Sequence, residues 1–399
     1  MHTEKFTGRR SVGHLLLSGA IVIAPFILPG VACAEGLLYS FGPPPDGALA
    51  SGVIRGSDGT LYGTTSWGGQ YGCNEEGNCV GTVYKITPHK KEVILHRFGD
   101  TGGYYPCCEP AMDSSGNLYG TTSSGAGADY YGVVFKLTPA GIYTELHSFT
   151  DGPDGGQPSG TVVDAKGNIF GVAETGGANN DGVLYEITSQ GSFEVLHSFA
   201  GTDGSYPVGT PMVDDKGNVY GTTLTGGANN VGVVYEVTPK GEEKVLHSFA
   251  YQTDGSEPLA GVVQDGDGNL YGTTQGSGPN GGGTLYELAP SGDFIVLHAF
   301  SQTGGDGWAV DSPPTLVRNG KGKIELYGIT SFGGTYNAGT AYKYWGMGHY
   351  KIIHSFAGGS SDAYLPQGSL AAGPGGRFYG ASNQGGPADN GTVFEFKSR

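Results

Sequence analysis

Basic residues are scarce in this chain of 399 residues, which contains 21 Lys and Arg against 37 Asp and Glu and carries a net charge of −16. The acidic residues are spread along the chain rather than gathered in blocks. Nucleic-acid binding needs a basic patch that neutralises phosphate groups, so this composition argues against a nucleic-acid partner. The acidity indicates instead a protein that its charge keeps soluble outside the cell.

Long apolar runs are also missing, except for one between Leu15 and Val31. Basic residues precede this run, and Ala32-Cys33-Ala34 follows it directly. These three parts are typical of a secretory signal peptide, so we expect residues 1–34 to be removed by cleavage after Ala34. A retained membrane anchor is the alternative, but the run is shorter than the roughly 20 residues that a span needs. We therefore expect a secreted, periplasmic or cell-surface protein with no transmembrane segment in its mature part, residues 35–399.

Cysteine is equally rare, with five residues in the chain. Cys33 would leave with the signal peptide, although lipid attachment at Cys33 is an alternative, because the preceding residues loosely match a bacterial lipobox. An oxidising compartment would pair the other four in one of three ways; they are Cys73, Cys79, Cys107 and Cys108. A bridge between Cys73 and Cys79 closes a short loop. A bridge between the adjacent Cys107 and Cys108 would be strained, so cross-pairing of the two segments is also open.

Motifs of common catalytic and metal sites are absent from the sequence, which contains no G-x-S-x-G elbow, no P-loop, no CxxC zinc pattern and no His-rich cluster. The segment Asp265-Gly266-Asp267-Gly268-Asn269 resembles a calcium loop but lacks the later Glu of an EF-hand. It coincides with a turn found in every repeat, which favours a hairpin. We therefore expect no metal ligands and no cofactor, with a structural calcium ion as the alternative.

Glycine is abundant, at 76 residues, but 24 Tyr and 17 Phe argue against disorder and for turns in an all-β protein. A β-run ending in Leu-Tyr-Gly or a close variant recurs seven times, and the final glycines are Gly63, Gly120, Gly171, Gly221, Gly272, Gly328 and Gly380. The intervals are 57, 51, 50, 51, 56 and 52 residues. Units of this length are typical of the four-stranded blades of a β-propeller.

Each unit divides into four strands, which in the fourth unit we predict at 209–214, 219–223, 232–237 and 244–249. The chain begins with a fourth strand at 37–41 and ends with a third strand at 391–396. The N-terminal strand would therefore complete the last blade and remove the free edges. The sequence predicts an all-β, seven-bladed propeller over residues 35–399, which we expect to be a monomer.

The repeat also resembles a known family. The succession LYGTT, GG, GxVYxxTPxG and LHSF matches the GloVer repeats of "choice-of-anchor tandem repeat" proteins over essentially all of residues 37–399. This resemblance implies a bacterial protein that is secreted or attached to the surface, and it implies no particular chemistry.

Six of the ten histidines occupy one repeat position, and Tyr39 fills it in the first unit; the six are His96, His147, His197, His247, His298 and His354. A residue present in nearly every blade serves the blade, so we predict a structural hydrogen bond on the outermost strand rather than catalysis.

Propellers usually bind ligands on the face that carries the loops between second and third strands and the loops between blades. In the first set of loops the residues that depart from the repeat are Trp67, Tyr71, Glu75, Glu76, Asp129, Tyr130, Tyr131 and Tyr336. In the second set they are Tyr104, Tyr105, Cys107, Cys108, Glu109, Asp306, Trp308, Asp311 and Tyr364. These residues belong to blades one, two, six and seven, which are neighbours in a closed ring. Divergent loops whose aromatic rings pack on one another are the alternative.

The first strand should line the central channel, and two arginines interrupt its apolar pattern. One repeat position carries Arg55, Met112, Val163, Val213, Gln264, Arg318 and Ala372. Arg55 and Arg318 could bind an acidic ligand group, or form structural ion pairs with carboxylates such as Glu109 and Asp311.

Three functions are compatible with this pattern. In the first, the elaborated loops bind a polysaccharide or another surface polymer through Trp67, Tyr71, Tyr105, Trp308, Tyr336, Arg55 and Arg318. In the second, the protein is a polysaccharide lyase or glycoside hydrolase whose candidate catalytic residues are Tyr104, Tyr105, Glu109, Asp306 and Asp311. In the third, it is a protein-interaction scaffold.

Overall fold

The computed structural model describes residues 36–43, 46–69, 80–99, 102–125, 131–346 and 348–398. The predicted signal peptide lies outside these residues, as do Cys33, Tyr71, Cys73, Glu75, Glu76, Cys79, Asp129 and Tyr130. The structure is all-β, with small antiparallel sheets that form the seven blades of a propeller. No helix in the described part of the chain is long and apolar enough to span a membrane.

The strands follow the predicted order in every blade. Those of blades one to three are Gly47–Arg55, Leu61–Gly68, Thr82–Ile86 and Glu92–Arg97; Tyr104–Pro106 with Ala111–Met112, Leu118–Ser124, Val133–Leu137 and Tyr143–Ser148; and Gly156–Val163, Ile169–Thr175, Val183–Ile187 and Phe193–Ser198. Those of blades four and five are Ser205–Val213, Val219–Thr225, Val233–Val237 and Glu243–Ser248; and Val263–Gln264, Leu270–Thr274, Gly281–Leu288 and Phe294–Ser301. Blades six and seven contain Thr315–Arg318, Ile324–Thr330, Thr340–Tyr344 and Tyr350–Ser355; and Ala363–Ala372, Arg377–Gly385, Thr392–Lys397 and Gly36–Ser40.

Two short additions complete the secondary structure of the described residues. Gly307–Trp308 pairs with Phe332–Gly333 beside blade six, and single 3₁₀ turns lie at Gly359–Ser361 and Pro374–Gly376. The first strand of blade four begins at Ser205, four residues before its predicted start at 209, because the chain already pairs with the second strand there through Ser205 and Thr225.

The N-terminal strand closes the ring as predicted. Gly36–Ser40 pairs antiparallel with Thr392–Lys397, and Leu37 lies opposite Phe394. The last blade therefore combines three C-terminal strands with one N-terminal strand in a four-stranded sheet.

Close packing explains the glycine of the Leu-Tyr-Gly motif. Gly63 lies opposite the buried Tyr84 of the third strand, and a Cβ on Gly63 would lie 2.5 Å from the Tyr84 hydroxyl oxygen. The same buried tyrosine recurs as Tyr185, Tyr235, Tyr286 and Tyr342. Phe135 and Phe394 occupy this position in blades two and seven, so every motif glycine has an aromatic ring against it.

The junctions between blades have a repeated backbone feature. One non-glycine residue at or near the start of each inner segment has a φ of 52–58°; these are Leu49, Tyr105, Gln157, Tyr206, Glu257, Ala309 and Leu365. In five junctions its N–H donates to a carbonyl of the preceding blade over 2.8–3.2 Å. In blades two, three, four, five and seven a proline follows, and its ring packs on a glycine of the preceding blade. Apolar clusters that join neighbouring blades, such as Phe170 and Leu184 with Val219 and Tyr235, complete these junctions.

Five of the six repeated histidines pair with a carboxylate on the outermost strand as predicted, whereas the Nε2 of His96 is buried without a hydrogen-bond partner in the described part of the chain. The histidine Nε2 lies 3.0 Å from an Asp carboxylate in the pairs His147–Asp154, His197–Asp203 and His298–Asp306, and 2.6 Å away in His247–Asp254. His354 lies 3.5 Å from Asp362. In the first unit the Tyr39 hydroxyl donates to Asp46 in the same way. The Asp lies in the loop that enters the next blade, so each pair ties a blade to that loop.

The turn at Asp265 is built by its own hydrogen bonds. Asp265 accepts the N–H groups of Asp267 and Asn269 over 2.8 and 3.0 Å, and its second oxygen accepts the Asn269 side chain and the Tyr271 hydroxyl. Equivalent bonds link Asp113 with Asn117 and Asp214 with Asn218. This supports the hairpin interpretation of the segment.

Candidate functional site

The propeller has two unlike faces, which we name after their connections. The loop face carries the loops between second and third strands and the loops between blades, and the turn face carries the hairpin turns. First strands run from the loop face to the turn face along the central channel. The position of a residue on its first strand therefore decides which end of the channel it lines.

Three predicted aromatic residues come together on the loop face, and we call them the Trp67 cluster. The ring centroids of Trp67 and Tyr105 are 6.3 Å apart at an interplanar angle of 39°, and those of Tyr104 and Tyr105 are 6.4 Å apart. Tyr105 is 40% exposed. The N–H of Tyr105 donates to the Val80 carbonyl, which holds the Tyr105 backbone at φ 58°. The Ser123 hydroxyl donates to the Tyr105 carbonyl.

The Trp67 cluster is connected to the channel by a ladder of bonds between blades one and two. The Ser66 hydroxyl donates to the Pro106 carbonyl over 2.9 Å, and the Thr64 hydroxyl donates to the Cys108 carbonyl over 2.8 Å. The segment Cys107-Cys108-Glu109 follows Tyr105 and Pro106 directly, so the residues after the cluster lead down into the channel.

Of the other predicted aromatic residues in the described part of the chain, three pack against neighbours and Tyr336 is exposed. Trp308 stacks on Phe332 with centroids 4.5 Å apart, so Phe332 covers one of its faces. Tyr131 and Tyr364 pack against the apolar clusters of blades two to three and six to seven. Tyr336 is 63% exposed.

Glu109 lies in the channel and reaches across it. Its Oε1 accepts the N–H of Ser369 in blade seven, and a Cβ on Gly52 of blade one would lie 2.5 Å from the same oxygen. Burial raises the pKa of the Glu109 carboxyl, and the Ser369 bond opposes this shift. The side chain thus fills space between three blades.

Asp311 lines the same cavity of about 270 Å³ as Glu109. Burial raises the pKa of Asp311 to about 6, and the Glu109 charge adds to the rise, whereas a hydrogen bond from Ser331 over 3.1 Å lowers it. Its Oδ1 is buried without a hydrogen-bond partner. Glu109 and Asp311, both predicted as candidates, therefore share one cavity, in which burial is the main cause that raises both pKa values.

Glu174 is a third acid of this cavity, and the sequence analysis missed it. Burial raises its pKa to about 7. It lies on the second strand, directly after the stretch equivalent to Leu-Tyr-Gly-Thr-Thr. The other units carry Ser66, Ser123, Leu224, Gln275, Ser331 and Asn383 at this position. Comparing the repeats along the second strand would have singled out Glu174.

Cys107 and Cys108 are free thiols that line this cavity, with their sulfurs 3.0 Å apart. The hydrogen bond between them lowers the pKa of the Cys107 thiol and raises that of Cys108, which burial raises further. Cys107 also contacts the Pro158 carbonyl of blade three. The pairing predicted for Cys73 and Cys79 lies outside the described residues.

Asp306 is separated from the channel acids. Its carboxylate pairs with His298 and accepts the Tyr350 hydroxyl over 2.8 Å, so it belongs to the repeated His–Asp pair at the outer strands. The structure therefore does not bring Asp306 together with Glu109 and Asp311.

The expectation that Arg55 and Arg318 form ion pairs with Glu109 or Asp311 is corrected by the structure. No such pair exists among the described residues, because both arginines end their first strands at the turn face. Arg318 stands seven positions after Asp311, a path of up to about 23 Å in extended chain. Arg318 bonds instead to the Gly322 carbonyl of its own turn. Arg55 lines a second cavity of about 570 Å³ on the turn side, which Glu109 also borders.

Comparison with protein families agrees with the repeat pattern. The model of the Gloeobacter/Verrucomicrobia repeat matches residues 31–223 and 190–394, nearly the whole chain. The chain belongs to this family. The resemblance to GloVer repeats is thereby confirmed. No curated protein matches this GloVer-repeat protein.

Two solved structures illustrate what this GloVer-repeat protein is similar to. The extracellular domain of a one-component system from B. thetaiotaomicron aligns with a TM-score of 0.56 at 10% identity, over 88% of this chain and 39% of that one. A gluconolactonase from Xanthomonas campestris aligns with a TM-score of 0.45 at 12% identity, over 75% of this chain and 86% of that one. The first likeness supports the propeller fold and nothing finer.

Proposed function

We propose that this protein is an exported binding module that recognises a glycan or a similar extracellular polymer on its loop face, above blades one and two. The observation that carries the proposal is the Trp67 cluster, in which Trp67 and the exposed Tyr105 present inclined rings on the loop face, and Cys107 of the channel cavity follows Tyr105 by two residues. Aromatic rings bind the apolar faces of sugars, and a rigid backbone lowers the entropic cost of binding. Tyr105 has such a backbone, because it is hydrogen-bonded to the preceding blade.

The charge of the channel limits the ligand class. The titratable groups beneath the Trp67 cluster are three carboxyls and two thiols: Glu109, Glu174, Asp311, Cys107 and Cys108. A polyanion would be repelled by the net charge of −16, and its entry would oppose ionisation of these carboxyls, whose pKa values burial already raises. The polymer is therefore neutral or basic, for example a neutral glucan or a deacetylated amino-sugar polymer.

Binding is tested with the purified protein on a panel of neutral, basic and acidic polysaccharides. We expect saturable binding to a neutral or basic member, and a loss of affinity of at least about tenfold in Tyr105→Ala, equal to about 1.4 kcal/mol. The matched control is Tyr206→Ala, because Tyr206 occupies the same repeat position in blade four with φ 56° and 38% exposure. Equal losses in both variants, or binding confined to acidic polymers, would contradict the proposal.

A second candidate function is polysaccharide cleavage, which the two buried acids of one cavity favour. Glycoside hydrolysis uses one carboxyl kept protonated and one kept ionised near neutral pH. Two acids with raised pKa values, Glu109 and Asp311, lie in one cavity near the aromatic cluster. New reducing ends or unsaturated products in the binding wells would favour catalysis, and their absence across the panel would favour binding alone.

A further inference from the structure

The junction between blades three and four differs from its counterparts on the outer strands. In four other junctions the repeated histidine stacks on an aromatic ring of the next blade, with centroid distances of 4.2 Å for His96–Tyr143, 3.7 Å for His147–Phe193, 3.9 Å for His247–Phe294 and 3.6 Å for His298–Tyr350. His197 meets Glu243 instead. The aromatic ring of these four junctions is therefore replaced by a carboxylate at His197.

The three polar side chains at this junction have the geometry of a ligand set. His197, Asp203 and Glu243 each offer one ligand atom, and these atoms lie within 4.8 Å of one another. His197 Nε2 and Asp203 Oδ2 are already 3.0 Å apart. Ligands of a tetrahedral Zn²⁺ at about 2.0–2.1 Å are about 3.3 Å from one another, so small rotations of these side chains would suffice.

Two further observations indicate a missing partner for Glu243. Its Oε1 is buried and has no hydrogen-bond partner. Apart from His197, no basic group forms a salt bridge with either carboxylate in the described part of the chain. A cation between the two carboxylates would satisfy the buried oxygen and relieve their repulsion.

The junction between blades seven and one shows that a glutamate at this position does not by itself make a metal site. Glu92 occupies the equivalent position between blades seven and one, where Tyr39 replaces the histidine. The Tyr39 hydroxyl donates to both Asp46 and Glu92, over 2.8 and 3.2 Å, and so bridges the two carboxylates with a proton. The blade three to four junction has an imidazole in place of that hydroxyl, and imidazole is a metal ligand.

We propose that His197, Asp203 and Glu243 form a site for a divalent transition metal, with Zn²⁺ as the best match. One imidazole and two carboxylates suit Zn²⁺ better than Ca²⁺, which prefers six or more oxygens. Water completes the coordination sphere. The site departs from the sequence-based expectation of no metal, and it lies on the outermost strands, away from the loop-face site. It would clamp blade three to blade four.

The test is titration of the purified protein with ZnCl₂ at pH 7.5, followed by calorimetry and by thermal unfolding. We expect one Zn²⁺ per chain at this site, a rise in Tm on binding, and a loss of affinity of at least about tenfold in Glu243→Gln. Glu243→Phe restores the aromatic residue of the other junctions, so it should fold normally and lose the site. Glu194→Gln is the control, because Glu194 is an exposed acid on the fourth strand of blade three.

Competing thiols are removed by repeating the titration in Cys107→Ser/Cys108→Ser, in which the Zn²⁺ site should persist. Absence of Zn²⁺ binding, or equal affinity and stoichiometry in the unaltered protein and Glu243→Gln, would overturn the proposal. Binding of CaCl₂ that survives in His197→Ala would overturn the assignment to a transition metal.

Discussion

Replacing Gly182 by Ala should destabilise the propeller through a clash at the junction of blades three and four. Gly182 has φ 91°, and a Cβ there would lie 2.6 Å from the Ala173 carbonyl oxygen and against the ring of Pro207. A left-handed backbone costs an L-residue about 1–2 kcal/mol. Overpacking adds about 1–3 kcal/mol. We therefore expect the free energy of unfolding to fall by about 2–5 kcal/mol, measured as a shift of the urea midpoint by fluorescence and far-UV circular dichroism.

Gly191 separates the two contributions. It has φ 88°, but a Cβ there would meet nothing within 4 Å, so Gly191→Ala should lose only the backbone part, about 1–2 kcal/mol. The double variant Gly182→Ala/Pro207→Ala should recover part of the difference, because it removes most of the proline ring. If Gly182→Ala and Gly191→Ala lower the free energy of unfolding equally, the clash between blades three and four makes no contribution of its own, and the reasoning is refuted.

Two other predictions concern the channel acids. Glu174 has a pKa raised from 4.5 to about 7, so the folded state binds more protons than the unfolded state between these values and stability falls as pH rises through this window. Glu174→Gln should therefore be more stable than the unaltered protein at pH 8, by up to about 3 kcal/mol, and equal to it near pH 4; a constant difference at both pH values would refute the assigned cause. If polymer cleavage is observed, Glu109→Gln and Asp311→Asn should each abolish turnover and retain polymer binding, whereas unchanged turnover in both would exclude these two acids.

The fold could be predicted because its determinants are local and repeated. The Leu-Tyr-Gly motif specifies a second strand wherever it occurs, and the unpaired strands at the two ends of the chain required closure. The histidine pattern also predicted its outer-strand hydrogen bond. The sequence pattern could not predict the backbone conformation at the blade junctions, where φ is 52–58°. Such a conformation depends on a hydrogen bond to the neighbouring blade, which is not visible in the repeat itself.

The candidate site was predicted less completely, because closeness in sequence and a shared strand do not decide where a side chain lies. Asp306 was grouped with Asp311 because the two are close in sequence, but the loop turns Asp306 outward to His298. The spacing from His to Asp varies between six and eight residues, as in His197–Asp203 and His298–Asp306, which hides the pattern. The sequence pairs Arg55 and Arg318 with the carboxylates because all of these residues line the channel. The direction of the first strands puts the two arginines at the opposite end of the channel from the carboxylates.

The channel is closed differently on the two sides of the ring, and this supports a search for the ligand on the elaborated side. On the plain side backbone meets backbone, since a Cβ on Gly160 would lie 2.7 Å from the Thr210 Cα and one on Gly209 would lie 2.6 Å from the Gly261 nitrogen. On the elaborated side backbone also meets backbone between blades seven and one, since a Cβ on Gly368 would lie 2.9 Å from the Gly52 Cα, but the Glu109 side chain fills part of the space as well. A strand backbone cannot withdraw without breaking its ladder, whereas a carboxyl side chain can change rotamer and protonation state. A ligand group that enters from the Trp67 cluster would therefore first have to displace the Glu109 side chain.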